Sequence, residues 1–239
     1  MRLDKLLSQR ADMSRAQARA AIRKGRVTLN GKALATADTQ VAEDAPLCLD
    51  GQPLGGQSQR HVMLNKPLGV LTAARDAQAA TVMDLLPAQF ARIKCMPVGR
   101  LDKDSEGLLL LTTDGELAHR LLAPRRGVVK VYEALVAGRL DEQDAAAFRA
   151  GIVLTDFTAL PATLSILQAS DEESLALVEL SEGKHRQVRR MLGSLGHEVR
   201  ALKRLRFGPL TLDASLQPGE YRDLTSIELQ WLKEAAGLV

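Results

Sequence analysis

Three carboxylates stand within five residues of one another, in a polar stretch that precedes an apolar run. They are Asp102, Asp104 and Glu106, and residues 108–111 form the apolar run. With glycines on both sides, the pattern predicts a constrained loop tied to the core by a buried strand, which is where catalytic groups concentrate. A carboxylate there can act as a nucleophile, and three acids together can bind metal ions for a nuclease. The alternative is a surface turn whose acids are merely solvated.

The whole segment from Pro97 to Gly115, PVGRLDKDSEGLLLLTTDG, resembles the active-site signature of the pseudouridine synthases of the RsuA type. Lys130 to Tyr132 resembles the K-x-Y segment of that family, and Asn65 to Gly69 matches its NKP segment. EGKHRQVRRM, from Glu182 to Met191, resembles a third motif, so the matches span nearly the entire chain. The resemblance implies an isomerase that converts a uridine in RNA to pseudouridine, with Asp102 as its covalent catalyst.

The third motif falls on a helix predicted over residues 184–195 and ended by a glycine. Arg186 and Arg190 lie opposite its apolar stripe, where they can meet phosphates, whereas Arg189 borders the stripe and can reach inward to a carboxylate. In the family, the basic residue at this position pairs with the catalytic aspartate, so the resemblance implies that Arg189 pairs with Asp102. The stripe consists of Val188, Met191, Leu192 and Leu195.

Tyr132 lies on a strand predicted over residues 130–137, on the same face as small apolar residues. A tyrosine in that place is commonly a half-buried core residue. Its position in the K-x-Y motif favours stacking against a flipped uracil instead. Arg100 and Lys103 flank Asp102 and are candidates for contacts with the RNA backbone, although Arg100 can equally form a structural salt bridge.

A basic helix opens the chain after one short amphipathic helix. Ser14 is its predicted N-cap and Gly25 its end, and Arg15, Arg19 and Arg23 fall on one stripe opposite apolar residues. An Asn-Gly hairpin turn follows. This opening, RLDKLL…SRAQARAAIRKGRVTLNG, resembles the ribosomal-protein-S-four-like RNA-binding domain over about fifty residues. The predicted RNA contacts of this part are Arg15, Arg19, Arg23, Lys24, Arg26 and Lys32.

The charge distribution supports an RNA-binding protein. The net charge of +3 conceals two basic segments of +7 each, residues 1–32 with nine Lys and Arg against two acids and residues 184–206 with eight against one. The remainder of the chain is therefore strongly acidic. Localised positive charge is typical of proteins that bind a phosphate backbone.

The composition predicts two domains of a globular protein that remains in the cytoplasm. We expect an RNA-binding domain over residues 1–50, a linker over 51–60 and a catalytic domain over 61–239. The fold class is α+β, in which the resemblance implies a mixed, mostly antiparallel catalytic sheet with flanking helices. A short helix is predicted over residues 81–86. Neither Cys48 nor Cys95 has metal-ligand neighbours, so we expect no metal. No apolar run approaches the ~18 residues of a membrane span, so we expect no membrane segment. We also expect no cofactor, and the chain is expected to be a monomer.

Several functions remain open at this level. Small-subunit (16S) ribosomal RNA, within small-subunit particles, is the substrate that the resemblance favours, and large-subunit (23S) RNA is the alternative. A non-enzymatic alternative is an RNA-binding ribosome-assembly factor in which Asp102 is inert. Pseudouridine formation breaks the N-glycosidic bond and joins uracil C5 to ribose C1′, and the carboxylate can attack either C1′ or uracil C6.

Overall fold

The computed structural model describes residues 1–11, 13–42, 45–54 and 59–239. These residues form two compact units. The first contains Met1–Gln59 together with Ala88–Lys94, and the second contains Arg60–Pro87 and Cys95–Val239. The catalytic domain predicted over 61–239 differs in that residues 88–94 group with the first unit. Within this segment, Ala88–Arg92 forms a short helix in which Phe90 is buried. The composition of the sequence does not predict this grouping.

The first unit pairs two helices with a small antiparallel sheet in the strand order β2-β1-β3-β4. Helix α2 begins after Ser14, whose side chain accepts the amide hydrogen of Gln17, and this capping box confirms the predicted start. Asn30 and Gly31 both adopt positive φ, as the predicted hairpin requires. The elements are α1 Leu3–Arg10, α2 Arg15–Arg23, β1 Val27–Leu29, β2 Lys32–Ala33, β3 Leu47–Leu49, β4 Gln52–Pro53 and α3 Ala88–Arg92.

The linker predicted over residues 51–60 includes a short strand near its start. Gln52–Pro53 forms strand β4, because Asp50 and Gly51 adopt positive φ and turn the chain back along β3. Residues 55–58 of the predicted linker lie outside the described residues.

The second unit is built on one mixed sheet. Its main path has the strand order β13-β5-β7-β11-β8-β10-β9, in which β7 and β11 are parallel and the other pairs are antiparallel. The strands are β5 His61–Lys66, β6 Met96–Pro97, β7 Glu106–Thr112, β8 Lys130–Ala137, β9 Thr163–Ala169, β10 Glu173–Leu180, β11 Val199–Phe207, β12 Leu210–Thr211 and β13 Tyr221–Asp223. The helices are α4 Gly115–Leu122, α5 Glu142–Ala150, α6 Gln187–Ser194 and α7 Ser226–Ala236. The predicted α+β class is confirmed.

Two apolar clusters form the core of this unit. One joins β8, β10 and β11 to α5 and α6, and the other joins β5 and β7 to α4 and α7. Residues 108–111, the apolar run after the acidic loop, are fully buried in β7. The parallel contact between β7 and β11 lies where the two strand groups meet.

Two predicted helices differ from the structure. Residues 81–86 form turns instead, because the Asp84 carboxylate accepts the backbone and hydroxyl hydrogens of Thr81 and closes a local loop. Helix α6 begins at Gln187 rather than at residue 184. Arg186 has φ +50° and is left-handed, and the Gln187 side chain accepts the Lys184 amide hydrogen, so the residues before the helix form a tight loop.

The described residues contain no helix that is long and apolar enough to cross a membrane.

Candidate active site

Asp102 and Tyr132 line the same cavity in the second unit, which has a volume of about 510 Å³. That volume lies within the ~300–1,000 Å³ of ligand-binding pockets. The walls come from the loop before β7, the starts of β8 and α6, and the ends of β10 and β11. The structure therefore brings together two of the residues that the sequence motifs single out.

The backbone of the Asp102 loop is held at every carbonyl from residue 101 to residue 105. Because each oxygen accepts a hydrogen bond of 2.6–3.1 Å, the loop is fixed before any ligand arrives. The donors, in the order of the oxygens, are Thr72 Oγ1 at 2.7 Å, Ser105 N at 3.1 Å, Gly69 N at 2.9 Å, Arg189 Nη2 at 2.6 Å and Lys66 Nζ at 2.8 Å.

The Asp102 side chain differs from its backbone in having no fixed partner. Within the described part of the chain, its half-buried carboxylate forms no hydrogen bond or ion pair. Lys66 is fully buried near it. Burial lowers the pKa of the Lys66 ammonium to about 8, although Asp102, Asp104 and Glu106 act in the opposite sense. A carboxylate that is not bound by a neighbouring side chain is available to a substrate.

The predicted ion pair between Arg189 and Asp102 is not present. Arg189 instead donates to the carbonyls of Asp104 and Val199, and its Nε lies 3.4 Å from the Asp104 carboxylate. Arg186 pairs with the same carboxylate at 2.6 and 3.1 Å. The reason is the alternation of the loop, which turns Asp102 toward the cavity and Asp104 toward α6 and β11.

Asp104 is consequently the acid that Arg186 and Arg189 bind. Burial raises the pKa of the Asp104 carboxyl, but the hydrogen bonds from Arg186 and the charge of Arg189 outweigh burial and lower it overall. Asp104 and Glu106 line a second, larger cavity of about 1,020 Å³, whereas Asp102 lines the first. The three acids therefore do not form one cluster, and the described residues contain no group of three or more metal-binding side chains.

Adjacent strands form the floor of the first cavity. Tyr132 is half-buried against the apolar cluster below the sheet and pairs in register with Arg204, while Lys130 pairs with Phe207. Arg204 and Phe207 are three residues apart and would point to opposite faces of a regular strand. A bulge between Arg204 and Arg206 inserts one extra residue in β11 and shifts this alternation, so that both side chains line the cavity.

Close packing fixes the backbone at this bulge. A Cβ on Gly107 would lie 2.3 Å from the Arg204 carbonyl oxygen, so only glycine lets β7 approach β11 here. Gly107 also has φ +101°, which side chains rarely adopt. The Arg204 Nε donates to the Leu108 carbonyl at 2.8 Å, which ties the guanidinium to β7.

The exposed basic residues surround the mouth of the cavity. Arg100, His185 and Arg186 are exposed and line it, while Lys103 lines the second cavity. Arg190 pairs with Asp156 and lies 5.1 Å from the ring centre of Phe157, so it is engaged within the protein. Its predicted phosphate contact would require this pair to open.

In the first unit, a carboxylate that the sequence patterns did not reveal organises the arginine stripe. Asp4 is fully buried, and Arg15 donates to both of its oxygens at 2.7 Å. Arg19 and Arg2 donate at 2.9 and 3.3 Å. Burial raises the pKa of Asp4, but these hydrogen bonds outweigh it and hold the pKa well below its usual range. The arginine heads stay about half exposed.

The other predicted RNA contacts of this unit are exposed. Arg26 pairs with Asp50. Arg23, Lys24 and Lys32 have no side-chain partner among the residues that the structure describes.

Sequence reasoning missed four charged residues that the structure makes prominent, namely Asp4, Lys66, Lys130 and Arg204. Lys66 and Lys130 stand inside matched motifs, which was a usable signal. Asp4 likewise stands in the RLDKLL segment of the matched opening, whereas the burial of Arg204 depends on contacts between distant segments.

Comparison with known proteins decides the family. The model for RNA pseudouridylate synthases matches residues 60–194, and the S4 domain model matches residues 1–45. The chain belongs to the RNA pseudouridylate synthase family. The predicted family and isomerase class are confirmed.

Members of this pseudouridine synthase family match nearly the full chain. An uncharacterized RNA pseudouridine synthase of Bacillus subtilis is 39% identical over 98% of this chain and 99% of its own length. The ribosomal small subunit pseudouridine synthase A of Escherichia coli is 37% identical over 96% and 98%. A pseudouridylate synthase crystal structure is 34% identical and covers 97% of this chain and 99% of its own, with a TM-score of 0.68.

Proposed function

We propose that this chain converts one uridine of small-subunit (16S) ribosomal RNA to pseudouridine, with Asp102 as covalent catalyst and without a cofactor. The observation that carries the proposal is the state of Asp102. Its carboxylate has no partner among the described side chains, while every carbonyl of its loop is hydrogen-bonded. A structural carboxylate would be expected to have the reverse arrangement.

The chemistry needs a fixed nucleophile beside a base-sized space. In one route a carboxylate oxygen bonds to ribose C1′ as the N-glycosidic bond breaks, and in the other it adds to uracil C6 before the N-glycosidic bond breaks. After the uracil rotates, C5 bonds to C1′, the bond to the carboxylate breaks and C5 loses its proton. Both routes begin from the same placement of Asp102, so the cavity serves either.

The remaining residues receive roles that follow from their positions. Tyr132 is assigned to hold the flipped uracil by ring contact from the cavity floor. Arg189 is assigned a positioning role, because it holds the loop through the Asp104 carbonyl and does not line the cavity with Asp102. Arg100 and Arg186 are assigned to phosphates at the mouth of this cavity, and Lys103 to phosphates beside the second cavity.

The substrate assignment rests on the relatives and on the first unit. Proteins named ribosomal small subunit pseudouridine synthase A match the chain end to end. We assign RNA binding to residues 1–50. There Asp4 holds Arg15 and Arg19 half exposed. The side chains of Arg23, Lys24 and Lys32 are exposed. We further propose that a monomer acts in the cytoplasm on small-subunit particles.

The test measures release of tritium from RNA labelled at uridine C5, with EDTA present. Transcripts of 16S and 23S ribosomal RNA are compared for wild type, Asp102→Asn and the control Asp171→Asn. The Asp171 side chain is 90% exposed, and the residue is distant from Asp102 in the sequence. We expect release from 16S RNA by wild type and the control only, with intact strands.

Each other outcome redirects the proposal. Release from 23S RNA alone would make the large subunit the substrate. Tight binding without release from either RNA would favour the ribosome-assembly factor, and equal release by Asp102→Asn would remove Asp102 from the mechanism.

A further inference from the structure

Two buried cations lie at the floor of the Asp102 cavity. Lys130 is 9% exposed and Arg204 is 3% exposed, and both line the cavity. They belong to neighbouring strands and flank the same ring, since the Lys130 Nζ lies 5.7 Å and the Arg204 Cζ 5.2 Å from the centre of Phe207. The floor beneath the base-sized space is therefore positively charged.

Neither cation is neutralised by an ion pair within the described ranges. The Lys130 Nζ has no hydrogen-bond partner there, and the Arg204 Nη2 is buried and unsatisfied. Burial lowers the pKa of Lys130, and Arg204 lowers it further, while Glu182 acts in the opposite sense. Burying charged groups without an opposite charge costs free energy, so an anion at this place would recover it.

The backbone is arranged to keep both cations in place. The bulge in β11 brings Phe207 to the face on which Arg204 lies, and the approach of Gly107 fixes the strand at that point. Fixed charges of this kind stabilise a transition state without reorganising during the reaction.

Depth separates these two residues from the other cations. Arg100, Lys184 and Arg186 are exposed at the mouth, whereas Lys130 and Arg204 are buried at the floor. A phosphate on the RNA backbone reaches the mouth first. The group that reaches the floor is a base turned into the cavity, and uracil presents carbonyl oxygens there.

We propose that Lys130, backed by the Arg204 guanidinium, stabilises the negative charge that the uracil carries after Asp102 attacks. The inference rests on the proposed function of Asp102. If the carboxylate bonds to C1′, the pair of the broken C1′–N1 bond leaves with the uracil and spreads to its carbonyl oxygens. If the carboxylate adds to C6, the pair of the C5–C6 double bond moves toward the O4 carbonyl. In both routes the Lys130 ammonium donates a hydrogen bond to a carbonyl oxygen of the uracil. The electron pair returns from that oxygen to the ring when C5 bonds to C1′ or the adduct breaks down.

The experiment compares single-turnover rates at saturating RNA for wild type, Lys130→Met, Lys130→Arg and the control Lys203→Met. Lys203 lies on β11 beside Arg204 but on the opposite face of the strand and lines neither cavity. We expect Lys130→Met to lower the rate about 10²-fold with RNA affinity changed less than about threefold. Lys130→Arg keeps the charge and is expected to remain within about tenfold of wild type. Lys203→Met is expected to match wild type.

A second substrate separates charge stabilisation from packing. Fluorine at C5 withdraws electrons and stabilises the uracil anion, so RNA containing 5-fluorouridine depends less on Lys130. We expect the Lys130→Met penalty, measured as loss of 5-fluorouridine after digestion, to shrink at least about tenfold, because charge stabilisation is the effect removed. Circular dichroism and thermal unfolding check that the variants fold. If Lys130→Met does not fold, the rates on the two substrates are compared for Lys130→Arg instead.

Three results would overturn the inference. One is an equal penalty on both substrates, which indicates packing. Another is weakened RNA affinity with an unchanged rate, which indicates a phosphate contact. The third is a wild-type rate for Lys130→Met while Asp102→Asn is inactive, which removes Lys130 and leaves the proposed function of Asp102 intact.

Discussion

Asp4 in the first unit and Asp102 in the second are two carboxylates with opposite arrangements. Asp4 is fully buried, and three arginines bind its oxygens. Asp102 has an anchored backbone and a side chain without a partner among the described residues. In the first case the acid holds arginines in position, and in the second the scaffold holds the acid in position.

The difference shows how one residue type serves two purposes. A carboxylate whose hydrogen-bonding capacity is filled by its neighbours stabilises structure. A carboxylate whose capacity is unfilled, on a backbone whose capacity is filled, is available for reaction. Burial alone would have ranked Asp4 above Asp102 as a candidate.

The sharpest test of this comparison exchanges each acid for its amide. Asp102→Asn is expected to lower pseudouridine formation by at least about 10³-fold, because a nucleophile is removed. Its free energy of unfolding should change by less than about 0.5 kcal/mol. Asp4→Asn should show the reverse, with about 1–3 kcal/mol lost because the arginine hydrogen bonds weaken. Tritium release and urea unfolding measure the two quantities, and a stability loss in Asp102→Asn as large as that in Asp4→Asn would contradict the comparison.

Gly107 tests whether the junction behind the loop is as rigid as the geometry indicates. Gly107→Ala is expected to lose about 3 kcal/mol or more, because its Cβ would collide with the Arg204 carbonyl and its φ is strained. The matched control is Gly115→Ala, which opens helix α4 with free space around its Cβ. That change should be neutral or slightly stabilising in urea unfolding. Equal losses in the two variants would show that the strand junction can adjust.

Arg189 tests whether the loop must be held from the side of α6. Arg189→Met is expected to lower kcat roughly 10-fold to 100-fold with little change in KM, because Asp102 would be less well placed while RNA contacts remain. Arg190→Met, the neighbouring change, removes a pair with Asp156 and should leave kcat near that of wild type. A rise in KM alone for Arg189→Met would assign Arg189 to RNA binding instead.

The pH dependence of the free energy of unfolding tests the burial of Lys66, whose ammonium donates to the Ser105 carbonyl of the Asp102 loop. Its folded-state pKa of about 8 lies below the ordinary 10.5, so the unfolded chain binds more protons between those values. The free energy of unfolding contributed by Lys66 therefore rises from pH 8 to pH 10.5, by roughly 2–3 kcal/mol. Lys66→Met should lack this rise in unfolding curves recorded at pH 7.5 and pH 10. An identical pH dependence in both proteins would contradict the burial of the charge.

Local patterns were sufficient for the helices, strands and turns that depend on neighbouring residues. The capping box at Ser14, the Asn30-Gly31 hairpin and the buried run of β7 follow from spacing and turn chemistry. The helix predicted over residues 81–86 failed because a hydrogen bond from Thr81 to the Asp84 side chain favours a turn, and periodicity does not register that competition.

The placement of charged side chains was harder to predict. A helical wheel placed Arg189 toward the core correctly, yet it could not tell which acid would meet it, because the answer depends on how the loop alternates. Likewise, Phe207 reaches the cavity beside Arg204 only through a bulge, which changes the face on which every following residue of β11 lies.

The anchors of the Asp102 loop also set an order of events during synthesis. Thr72, Gly69 and Lys66 precede the loop in the chain, but Arg189 follows it by 85 residues. A nascent chain leaves the ribosome from its N-terminus, so the loop acquires its last donor only after α6 has emerged. Arg204 and its bulge arrive later still. Activity in this protein is therefore a late product of folding, and the first unit can meet RNA before the second is able to modify it.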